Sequence, residues 1–237
     1  MRSLLLVMLL AGCPEHGRSP AMSDASVAPD GPQLADAPEV CPGGGVFLSG
    51  ELVDWDSTNA SFLGVFDAKV SLPGSLMPLL STPPNGRIET CVPAASPLRF
   101  DLDAPADYLD GTLVIQREAI ASLHPLSLRS IKLARASSFF TSRGLTFDPN
   151  RAQVVVFLAG DRSQVTLDRA HDAAQSGSDD TQPGTFVWTA GDTGRYVLFP
   201  NVDATLPTAT VTGVAQPLSV PIAPGKLTLV ATSIIFI

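Results

Sequence analysis

The sequence predicts an all-β protein: two tandem Greek-key β-sandwich modules joined by a short helical segment, preceded by a signal peptide and a disordered tether. Three observations carry this expectation. The 237 residues include 21 Pro and 19 Gly, which punctuate the chain too often for long helices. Between these breaks, apolar and polar residues repeatedly alternate with period two, as a half-buried strand requires. Hydrophobic residues make up 45% of the chain and charged ones 16%, a balance that fills cores and argues against wholesale disorder.

The N-terminus has the layout of an export signal. Arg2 supplies a positive start, Leu4 to Leu10 form an apolar run, and Ala11 and Gly12 are the small residues before a cleavage point. The run falls short of the ~20 apolar residues that span a bilayer as a helix. Leu10-Ala11-Gly12-Cys13 resembles the lipobox of bacterial lipoproteins. That resemblance implies a signal peptide over 1–12, cleavage before Cys13, and acyl chains on the Cys13 thiol and the new amine. Two or more chains make an anchor stable. The expected address is the bacterial cell envelope, at the outer membrane on its periplasmic face or the cell surface. The N-terminal lipid would supply the membrane contact.

Residues 13–40 are rich in Pro, Ala, Ser and Asp and lack aromatics and apolar periodicity, the composition of a flexible tether. A coil of this length reaches roughly 30 Å on average. Without residues 1–12 the chain keeps 14 basic and 23 acidic side chains, a formal balance of −9. So acidic a chain is no match for a phosphate backbone, and nucleic acid is excluded as an expected partner.

Once Cys13 is assigned to lipid, Cys41 and Cys91 remain in a compartment that permits disulfides, and a pairing between them is expected. The rival uses are a metal pair or a reactive thiol. No histidine lies near either cysteine in sequence, and a zinc site wants four ligands.

Residues 41–115 read as the first sandwich. Strand-like runs occupy Val46 to Val53, Ala68 to Leu72, Arg87 to Val92, Leu98 to Leu102 and Thr112 to Ile115, and Pro84-Asn85-Gly86 marks a tight turn. The segments Gly50-Glu51-Leu52-Val53-Asp54, Asp67-Ala68-Lys69-Val70-Ser71-Leu72 and Asn85-Gly86-Arg87-Ile88-Glu89-Thr90-Cys91-Val92-Pro93 resemble the carboxypeptidase regulatory-like, transthyretin-type β-sandwich of bacterial lipoproteins. Asp67-Ala68-Lys69 departs from the usual Gly-Ala before the second strand's valine. The resemblance covers about 70 residues, implies a fold and an accessory role, and carries over no catalytic residue.

Residues 116–150 read as a helical connector. Leu126 to Ser142 contains neither Pro nor Gly, and Gly144 offers a C-terminal stop. Arg129, Lys132 and Arg135, spaced by three, would share a helix face. That positive patch in an acidic protein would either pair with Asp101, Asp103 or Asp107, or receive an acidic partner or anionic lipid.

Residues 151–237 read as the second sandwich, with strand-like runs at Gln153 to Leu158, Gln164 to Leu167, Thr185 to Trp188, Tyr196 to Phe199, Thr208 to Thr212 and Leu227 to Ile237. Gly194-Arg195-Tyr196 echoes Gly86-Arg87-Ile88, and Ser176 to Asp180 reads as the exposed tip of an insertion. The alternative is one larger β domain in which both halves merge.

Signatures of chemistry are few. The sequence contains no Gly-x-Ser-x-Gly elbow, His-Glu-x-x-His helix or Walker-type loop. His16, His124 and His171 lie in unrelated segments and read as surface residues. Asp168, Asp172, Asp179 and Asp180 could offer oxygen ligands to calcium, but their spacing fits no calcium loop and reads as a solvated acidic loop. Trp55, flanked by Asp54 and Asp56, could stack on a sugar ring or cover the end of a core, and Trp188 reads as core. The expected function is therefore non-enzymatic, without cofactor or metal: a lipid-anchored envelope protein in a structural or recognition role. The alternative is a carbohydrate- or peptide-binding module, with an envelope protein or polysaccharide as partner.

Overall fold

Eight consecutive buried residues organise the fold. The computed structural model describes residues 41–55, 57, 63–116, 126–159, 163–179 and 186–233. The signal over 1–12, Cys13, the tether to residue 40, Arg117, Glu118, His16, His124 and Asp180 lie outside them. In chain order the first half holds β1 (Val46–Asp54), β2 (Lys69–Ser71), β3 (Leu80–Ser81), β4 (Arg87–Val92), β5 (Leu98–Asp103) and β6 (Gly111–Ile115). There follow β7 (Leu126–Ser130), α1 (Leu133–Thr141) and β8 (Ala152–Ala159). The remainder is β9 (Ser163–Gln164), β10 (Thr166–Leu167), β11 (Gln175–Asp179), β12 (Phe186–Ala190), β13 (Thr193–Gly194), β14 (Tyr196–Val202), β15 (Thr208–Thr212), β16 (Leu218–Pro221) and β17 (Leu227–Ser233).

The protein is all-β, and its largest sheet has nine strands in the order β12-β11-β14-β8-β17-β6-β5-β2-β3. At its centre β17 runs parallel to both β6 and β8, and every residue of β8 is buried. A strand covered on both faces reads as a continuous apolar run rather than an alternating one. Val155 and Phe157 enter one core, while Val154, Val156 and Leu158 enter the other. The same alternation divides Leu229 from Val230 in β17 and Leu198 from Val197 in β14.

On one face lie the sheet β4-β1-β7 and α1, contributing Leu48, Leu52, Ile88, Leu128 and Phe140. On the other lies the sheet β10-β15-β16, contributing Leu167, Val211, Leu218 and Val220. Two sandwiches are thus stacked against a shared central sheet.

This corrects the expected separation into sandwiches over 41–115 and 151–237 with a connector over 116–150. Residues of both halves are hydrogen-bonded into one sheet, and Pro38–Ile237 forms one compact unit. The C-terminal strand causes the merger, because β17 inserts between β6 of the first half and β8 of the second.

The connector differs in kind as well. Leu126-Ser127-Leu128-Arg129-Ser130 is a strand, paired parallel to β1 from Gly50↔Leu126 to Asp54↔Ser130. A Cβ at position 50 would stand 2.6 Å from the Leu126 carbonyl oxygen, so the glycine permits this close approach. Among the described residues of the connector, the α-helix is Leu133–Thr141. Gly144, with φ 71°, and Gly86, with φ 69°, take the left-handed conformations expected of a helix stop and a tight turn. Ser176 to Asp179, expected at an exposed tip, lie in β11, between β12 and β14.

Cys41 and Cys91 form a disulfide with their Cα atoms 5.5 Å apart. It ties the segment before β1 to the end of β4.

Candidate functional site

The side chains singled out from the sequence converge, but as an internal junction. The end of β1 places Asp54 and Trp55 beneath α1. Trp55 is fully buried, its ring centroid 3.9 Å from that of Phe139 and 5.9 Å from that of Phe140. It cannot stack on a sugar from this position; of the two uses weighed for it, covering a core is the one its burial fits. Trp188 is core, as expected. It packs edge-on against Phe139, and its Nε1 donates to the Trp55 carbonyl at 3.0 Å.

Arg129, Lys132 and Arg135 share no helix face. Arg129 sits in β7 and is 5% exposed. Its Nη1 donates to the carbonyls of Ser57 at 2.8 Å, Trp55 at 3.2 Å and Asp54 at 3.4 Å. The guanidinium carbon also lies 4.9 Å from the centre of the Tyr196 ring. Lys132 precedes the helix and pairs with Asp107 at 3.1 Å. Arg135 lies on α1 and pairs with Asp54 at 3.2 Å. The expected patch is therefore divided between a strand, a helix boundary and a helix, because the chain over 126–130 is extended. The expected pairing with acids holds for Asp107, while Asp101 and Asp103 lie elsewhere.

Electrostatically the centre of the junction is Asp54, 1% exposed. Its Oδ2 accepts from the Tyr108 hydroxyl at 3.2 Å. Burial pushes the carboxyl above the ordinary carboxylate range, against the opposing pull of Arg135, the Tyr108 hydrogen bond, Lys132 and Arg129. Burial and the Asp54 charge likewise push the Tyr108 hydroxyl above its usual value. A raised carboxyl beside a tyrosine resembles acid–base machinery. Here both groups are packed into a joint between β1, β7 and α1, and neither lines the clefts described next.

Among the described residues, two surface clefts with room for a ligand stand out. The first, about 330 Å³, is lined by Asp101 and Asp103 of β5, Asp110, Thr112, Ile222 and Lys226. Asp110 is held by the Ala104 amide at 3.0 Å and by Lys226 at 3.0 Å. Asp101 and Asp103 sit two residues apart on one strand and so point to the same face. The second cleft, about 410 Å³, has an apolar floor that includes Val165, Leu167 and Phe199, with His171 and Asp192 at its wall. His171 is not a bare surface residue. Its ring meets Phe199 edge-on at 4.9 Å, and its Nδ1 donates to the Asp172 carbonyl at 2.6 Å.

Of the acidic residues weighed for calcium, Asp168 and Asp172 are engaged in the fold. Asp168 Oδ1 accepts from the Thr210 amide at 2.7 Å, which holds its carboxyl below the ordinary range. Asp172 Oδ2 accepts from Asn201 Nδ2 at 2.7 Å.

Asn201 is a structural residue that the sequence reading passed over. It has φ 50°, and the register between β14 and β8 shifts between Phe199 and Val202. Its Oδ1 accepts from the Asp148 amide at 3.0 Å and from Gln153 Nε2 at 3.2 Å. A lone asparagine after proline in an apolar run was the available signal, since Asn tolerates the left-handed region better than most residues. Thr82 was also missed. Its hydroxyl donates to the Val65 carbonyl at 2.5 Å and accepts from the Ala68 amide at 2.9 Å.

Comparison with models of protein families, with curated proteins and with solved structures finds no match.

Proposed function

We propose that this is a lipid-anchored protein of the bacterial cell envelope, held at the outer membrane through Cys13, with a non-catalytic structural or recognition role. The observation that carries the non-catalytic part is how several of the buried polar groups are used. Arg129, Asn201, Gln153 and Thr82 all bind backbone atoms of their own chain, so they rigidify the double sandwich rather than face a cleft. The lipobox-like Leu10-Ala11-Gly12-Cys13 supports the anchor. The carboxypeptidase regulatory-like resemblance supports an accessory role. Carbohydrate or peptide recognition is the second reading, favoured by the Asp101 and Asp103 carboxylates side by side in a cleft; Trp55 has no part in it.

Mass spectrometry of the full chain expressed in a Gram-negative host tests the anchor. The expected mature protein begins at an acylated Cys13, and Cys13→Ser blocks acylation and leaves the precursor uncleaved there. An unmodified Cys13, or cleavage elsewhere, overturns the assignment. A glycan array on the same protein separates the two roles, and turnover in a hydrolase substrate panel overturns both.

A further inference from the structure

We propose that the tip of the β2–β3 hairpin is a lipid-contacting element that inserts Leu76 and Met77 into the interface of a neutral bilayer. The membrane setting rests on the anchored reading above, while the insertion is argued from the hairpin itself. From Val70 to Gly86 no residue is charged, in a chain that is otherwise strongly acidic. At the tip, Leu76 is fully exposed, Met77 is 76% exposed and Leu79 38%. Leu72 and Leu80, nearer the strands, pack against the core. Large apolar side chains standing together in water mark a binding surface.

The tip is ordered before it meets a partner. Pro73 and Gly74 are the central residues of a turn in which Gly74 has φ 75° and the Ser75 amide donates to the Leu72 carbonyl at 2.9 Å. This is the pattern of a type II turn. The Ser75 hydroxyl donates to the Met77 carbonyl at 2.9 Å, and the Leu79 amide donates to the Val70 carbonyl at 2.8 Å. Backbone groups satisfied internally lower the cost of leaving water, and a preformed loop loses little entropy on binding.

Charge selects the lipid. The stretch from Val70 to Gly86 has no Lys or Arg to attract anionic headgroups, and the mature chain's −9 is repelled by them. The neutral tip suits zwitterionic headgroups over apolar chains.

The chain from Pro14 onward keeps the whole compact unit and lacks the acylation site, so vesicle binding by it does not depend on the lipid anchor. Phosphatidylcholine vesicles are expected to sediment it. Leu76→Ser combined with Met77→Ser should reduce the partition coefficient by about tenfold or more, as expected from two apolar side chains leaving water. Both positions are solvent-facing, so the melting temperature should stay unchanged. Leu76→Trp should add fluorescence that vesicles shift to the blue and brominated acyl chains quench. Absence of binding, or equal binding by the double variant, overturns the proposal. So does a dimer in sedimentation analysis that the double substitution dissolves, because the tip would then be an interface between copies. Acylation of Cys13 is read separately on the full chain, so either reading can fail without the other.

Discussion

Replacing Arg129 with methionine keeps most of the side-chain volume and removes the guanidinium that gathers the chain after β1. Three carbonyls lose a donor: Ser57 at 2.8 Å, Trp55 at 3.2 Å and Asp54 at 3.4 Å. A hydrogen bond from a charged group contributes about 1.5–3 kcal/mol, and the longest of the three is near the limit of a bond. Trp55 retains the Trp188 indole donor, which softens the loss at that carbonyl. Asp54 also loses a nearby cation while staying buried. Removing one member of a buried charged set costs about 3–5 kcal/mol, the range expected for Arg129→Met. For a unit of this size each kcal/mol lowers the melting temperature by about 2–4 °C, which gives roughly 6–20 °C. Lys132→Met is the control. Its ammonium is about one-third exposed and pairs with a half-exposed Asp107, so the cost should stay within about 1 kcal/mol. Urea and thermal unfolding of both variants decide the matter. If Arg129→Met unfolds within about 1 kcal/mol of Lys132→Met, the guanidinium does not organise the junction.

Two further outcomes follow from the same physics. Replacing Cys41 and Cys91 by serine opens a loop with a sequence separation of 50 and should lower stability by about 4 kcal/mol in the chain-entropy picture; if both cysteines of the denatured, non-reduced protein react with an alkylating reagent, the bridge is absent. Asp54 holds its proton more tightly when folded than its ordinary value of 3.8 implies, chiefly through burial. Folding therefore favours proton uptake, and this group's contribution to stability declines as pH rises from about 3.8 through its raised folded value. Denaturant midpoints measured against pH for the wild type and Asp54→Asn should diverge in that sense, and a pH-independent difference would refute the assignment.

Much of the strand content was legible locally. β4, β5, β6 and β15 lie within a residue of the strand-like runs, because turn residues bound each of them; β5 and β15 also alternate between a buried and a more exposed face. Pro84-Asn85-Gly86 was legible for a similar reason, since few residues accept the backbone that a tight turn demands. The stretch over 126–130 was misread because five residues without Pro or Gly suit a helix as well as a strand. Only pairing with β1 decides between them. The site residues failed along with it: Arg129, Lys132 and Arg135 form a patch only if the backbone between them is helical.

The sequence by itself determined the all-β class, the plausible pairing of Cys41 with Cys91 and the core role of Trp188. These depend on residue type, short-range period and the count of thiols. Tertiary structure alone decided that the two halves share one sheet, that Trp55 lies beneath α1 and that Asp54 meets Arg135 from 81 residues away. The physical reason is the C-terminal strand. β17 completes its hydrogen bonds by lying between β6 and β8, partners more than 100 residues and about 70 residues distant, and no local pattern in any of the three strands records which neighbour it will find.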